Sequence, residues 1–92
     1  MIPMYDQSVI EFIDNFNLNR FFFLFQKQDS LGWLVSPEWS DINEVYEYLK
    51  NHFHSDNILD FVVMGYNQQS KYIHQLDWGS SQVWLMNNQP KG

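Results

Sequence analysis

The chain has no cysteine among its 92 residues, which excludes disulfides, thiolate metal sites and thiol nucleophiles together and leaves stability to packing. Basic residues are also scarce: five Lys and Arg stand against eleven Asp and Glu, for a net charge of −6. Clustered cations are what neutralise phosphates, so this balance opposes direct binding to nucleic acid or to an anionic membrane. No stretch approaches the roughly 18 apolar residues of a membrane span, and the start, Met1 to Asp6, has neither a basic nor an apolar signal-peptide region. The reading is a soluble, cytoplasmic protein. Nucleophile-elbow, phosphate-loop, HExxH and paired CxxC motifs are all missing, so no catalytic residue is assigned, no cofactor is expected, and the chain is read as a non-enzyme.

What the chain has instead is aromatic mass: four Trp, five Tyr and eight Phe. With 45% hydrophobic and only 17% charged residues, it lies well away from the composition of disordered chains. Its length fits one compact domain, 1–92, ending in a polar tail from about residue 87.

Periodicity gives the elements. Tyr5, Val9, Phe12, Ile13 and Phe16 follow the apolar spacing of a helix over 6–16, with Ser8 and Glu11 able to form a capping box and Asp6 as a second cap. The run 20–26 is apolar without alternation, the pattern of a central strand covered on both faces. A polar turn at 27–30 leads to a strand at 31–35, forming a hairpin. Trp39, Ile42, Val45, Tyr46, Leu49 and Phe53 then mark a second helix ending near residue 53, with Asp41, Glu44, Glu47 and Tyr48 on its other side. Its start is capped by Ser36 with Pro37 at the first helical position, or by Ser40. Strands follow at 58–64, 72–78 and 82–86, with turns at Gly65 to Ser70 and at Trp78 to Ser81. The order α-β-β-α-β-β-β predicts an α+β domain whose two helices pack on one face of a mainly antiparallel sheet.

Three kinds of chemistry compete for the polar residues. His52, His54 and His74, with Asp56 and Asp60, are the nearest approach to a metal cluster, yet histidines at i and i+2 of a helix point apart and suit the carbonyl end of its dipole, so no metal site is assigned. Asp60, Asp77 and His74 around Ser80 or Ser81 would make a hydrolytic group, but no motif frames them. The third is a binding surface. Carboxylates at Glu38, Asp41, Glu44 and Glu47, beside Trp39 and Tyr48 and joined by Trp78 and Trp84 of a terminal hairpin, combine aromatic anchors with a charge that steers a cationic partner. A solvated helix face is the plainer account of those acids. The aromatic surplus favours the surface, because a domain this small cannot bury every ring.

This profile resembles, as a class, bacterial toxin-immunity proteins and phage anti-defence inhibitors such as anti-CRISPR proteins. The resemblance implies an inhibitor that binds and blocks a basic protein, such as a nuclease, toxin or defence-system enzyme, and it carries over no individual residue. Two rivals stand beside it: a structural or adaptor module that forms a homodimer through the Trp84 strand or an aromatic patch, and a metal- or small-ligand-binding domain built on the histidines.

Overall fold

A computed structural model describes residues 5–53 and 55–80. Two helices and four strands follow in the order α1 (Gln7–Phe16), β1 (Arg20–Lys27), β2 (Leu34–Val35), α2 (Ile42–His52), β3 (Ile58–Tyr66) and β4 (Ile73–Ser80). The sheet runs β2-β1-β3-β4 with every neighbouring pair antiparallel, so the expected α+β class and one-sided helix layer are present. The fifth strand read at 82–86 lies outside the described residues.

Both helices bury their apolar stripes on the same side of the sheet. Val9 of α1 and Ile42, Val45, Tyr46 and Leu49 of α2 join Phe21 and Phe23 of β1 and Phe61 and Val63 of β3 in one core, closed by Leu18, Phe53 and Ile58. Asp6 is the N-cap of α1, and Asn17 ends it in a left-handed conformation that Asn tolerates. For α2 the N-cap is Asp41, whose carboxylate accepts from the Asn43 amide at 2.9 Å.

Ser36 and Ser40 therefore do not cap that helix. Ser36 is buried beside β1 instead, where its Oγ accepts from the Phe23 N–H and donates to the Pro37 carbonyl, both at 2.8 Å. The chain returns to β1 at Trp39, which exchanges two 2.8 Å backbone hydrogen bonds with Phe21. What reads as a helix start thus continues the sheet edge, and the hydroxyl satisfies a buried N–H that the interrupted ladder leaves open.

Gly65 and Gly79 also differ from the reading, because both lie inside strands. A Cβ on Gly65 would stand 2.8 Å from Leu76 Cδ1, and one on Gly79 would stand 2.6 Å from Phe61 Cζ. Close packing against neighbouring strands, rather than a turn, selects glycine there.

The register in β4 contains a bulge. Val63 faces Asp77 and Met64 faces Gln75, so Leu76 is an extra residue. Leu76 reaches the core, and the Asp77 carboxylate accepts a 2.7 Å hydrogen bond from Tyr46 of α2. The bulge turns both side chains beneath the helices.

Candidate functional site

The expected binding residues separate into two groups on opposite sides of the sheet. On the helix side, α2 fixes the first group: its buried positions lock the helix phase, so Asp41, Glu44 and Glu47 are exposed. Asp41 is engaged in capping. Glu44 and Glu47 meet no ion-pair or hydrogen-bond partner among the described residues, where His52 to Asp56 at 3.8 Å is the one ion pair.

Beside these acids runs a row of rings. Trp39 lies nearly parallel to Phe23, with ring centres 6.2 Å apart and planes at 6°. It meets Tyr48 at 5.2 Å, and Tyr48 stacks on His52 at 4.1 Å. Tyr48, read as lying on the outer side of α2, is half-buried against Phe23. The row is anchored at its inner edge and open at its outer one, so it can offer rigid contact area with little ordering cost.

Glu38 and Trp78 form the second group. Glu38 accepts a hydrogen bond from the Tyr66 hydroxyl, and this bond is the main reason that the Tyr66 phenol is held above its ordinary value. Trp78 pairs with Val62 and follows Asp77, which points to α2, so its indole projects from the far face, 67% exposed. Trp84 lies outside the described residues.

The histidines do not meet either. His52 belongs to the Tyr48 and Asp56 contacts at the end of α2, whereas His74 packs on Phe12 at 5.3 Å and Phe16 at 4.7 Å. His54 lies outside the described residues, within which no group of three or more His, Asp or Glu side chains is placed to hold a metal. The hydrolytic arrangement is likewise divided. Asp60 and Ser80 face each other in register on the far side, while Asp77 binds Tyr46 beneath the helices. Asp77, read as a turn-flanking acid, is thus a strand residue holding the core together.

That Tyr46–Asp77 bond escaped the sequence reading because its partners are 31 positions apart. Tyr46 is 3% exposed. Burial first, and the adjacent Asp77 carboxylate second, push its phenol well above the ordinary value. Tyr5 packs on the same ring at 4.6 Å and donates to Asn43 Oδ1 at 2.6 Å, tying the start of the chain to α2.

Among the described residues no helix is long and apolar enough to cross a membrane. No family model, curated protein or solved structure matches the chain, so the functional reading rests on its own surface chemistry.

Proposed function

We propose that the chain is a small acidic inhibitor that binds a basic partner protein, an enzyme acting on nucleic acid, and covers the surface that enzyme works with. The observation that carries this reading is the pair Glu44 and Glu47, exposed and without an ion-pair partner among the described residues, on a helix whose buried side is locked into the core, next to the half-open rings of Trp39 and Tyr48. Fixed carboxylates steer the encounter, and rigid rings slow release. Asp41 adds charge at the start of the same face. Occlusion suits the surface better than imitation of a nucleic acid, because so few carboxylates on a three-turn helix do not reproduce a phosphate track. A toxin-immunity or anti-defence role in a bacterial cytoplasm, encoded by the bacterium or by a phage, is the setting in which such inhibitors operate.

The test is affinity capture from lysate of the native host with tagged protein and with its Glu44→Lys/Glu47→Lys variant. The expected result is one basic nucleic-acid enzyme in stoichiometric amount, washed off by raised salt, with its activity blocked on binding and its association slowed at least about tenfold by the double reversal. Equal on-rates for the two proteins would overturn the steering argument.

A further inference from the structure

The strand pattern of β1 predicts cover on both of its faces, yet the described residues cover only one. On the other, strand register places Val35, Leu24, Val62 and Trp78 in one row across all four strands, and Phe22 beside Met64 in the next. Val35 is 66% exposed and Trp78 67%, and Ile73, one row further on, is 56% exposed. Between them Phe22, Leu24, Val62 and Met64 are part-buried. The face ends in charges of both signs, with Arg20 at one end and Asp60 at the other.

We propose that this face is a self-association surface, on which a second copy of the chain packs sheet to sheet. This goes beyond the inhibitor reading and does not depend on it, since it uses the side of the sheet away from α2. Three observations choose a second copy over another partner. The first is charge. A basic protein is drawn to the carboxylates of α2, whereas this face offers Arg20 against Asp60 and Glu38, with Glu38 already accepting from Tyr66. Two chains that each carry −6 can approach only where charge is low, and this is such a surface.

The second is symmetry. A two-fold axis lying in the interface, perpendicular to the strands and between the Phe22 and Leu24 rows, sets Phe22 over Leu24 of the other copy and Met64 over Val62. The same operation carries the Arg20 end of each copy over the Asp60 end of the other, so one surface complements itself as a two-fold dimer requires. A rotation of about 30° between the sheets accommodates their twist.

The third is area. β1, β3 and β4, eight or nine residues long, with the two residues of β2 at one side, give a face of roughly 400 Å² at a strand spacing of about 4.8 Å and a rise of about 3.3 Å per residue. Two such faces total roughly 800 Å², the size of a weak, transient pair rather than a permanent one. The dimer is therefore of modest affinity, held by its central apolar rows. It leaves both α2 surfaces facing outward.

Sedimentation equilibrium across a concentration series tests this with the parent chain, Trp78→Glu, Val35→Glu and Glu44→Lys/Glu47→Lys. The two single variants alter the most exposed positions of the face, and circular dichroism and melting temperature verify that each is folded. The expected result is a parent dimer weakened at least about tenfold by either substitution and intact in the α2 variant. Salt distinguishes the two surfaces as well: it screens repulsion between like-charged copies and strengthens the dimer, while it weakens capture of a basic partner. A parent that stays monomeric to about 100 μM, with Trp78 open or shielded by its own chain, overturns the proposal. So does a dimer that survives both single substitutions.

Discussion

Tyr46 shows how one residue can couple the two layers of this fold. Its ring is core, and its hydroxyl donates to Asp77 on β4. Unfolded, the phenol ionises near its ordinary 10.0; folded, it stays protonated well beyond that value. Above that pH the unfolded state therefore holds fewer protons than the folded one, so the Tyr46 contribution is complete below pH 10.0 and is lost as the pH rises further, by up to about 1.4 kcal/mol per pH unit. Urea unfolding at neutral and at high pH should show this slope in the parent and a shallower one in Tyr46→Phe. At neutral pH the same variant should lose about 1–3 kcal/mol, because it leaves Asp77 Oδ2 without its donor while the Trp78 N–H still serves Oδ1.

At the scale of elements, the helices were legible because an apolar stripe at 3.6-residue spacing has few other uses, and Val9, Val45, Tyr46 and Leu49 are buried as that stripe requires. Leu49→Ala should cost about 2–5 kcal/mol in denaturant unfolding, since the side chain is fully enclosed. A near-silent Leu49→Ala would mean that the phase of α2 is wrong. The sheet was read less well, for specific reasons. Gly65 and Gly79 resemble turn residues in one dimension, and only the neighbouring Leu76 and Phe61 side chains reveal them as places where strands need room. Ser36 resembles a cap until the backbone gap beside Phe23 is seen. The acidic face of α2 was legible as a face, but the separation of Glu38 and Trp78 from it depends on the register of β3 and β4, which local pattern does not encode.

For the whole molecule, both helices on one side of one sheet give a plate, 16 Å along its thinnest axis against 41 Å along its longest. The helix side carries the exposed acids Asp6, Glu11, Asp14, Glu44 and Glu47, and the sheet side carries Val35, Ile73 and Trp78. Sheet-to-sheet pairing of two such plates would hide the apolar sides and present an acidic helix face on each outer surface, so that one dimer could hold two basic partners. The one-sided helix layer has a consequence outside binding too. A plate with one charged and one greasy side is an amphiphile the size of a domain, and an air–water boundary offers the greasy side what a second copy does. Drop tensiometry of dilute protein should show rapid adsorption that is slowed in Trp78→Glu.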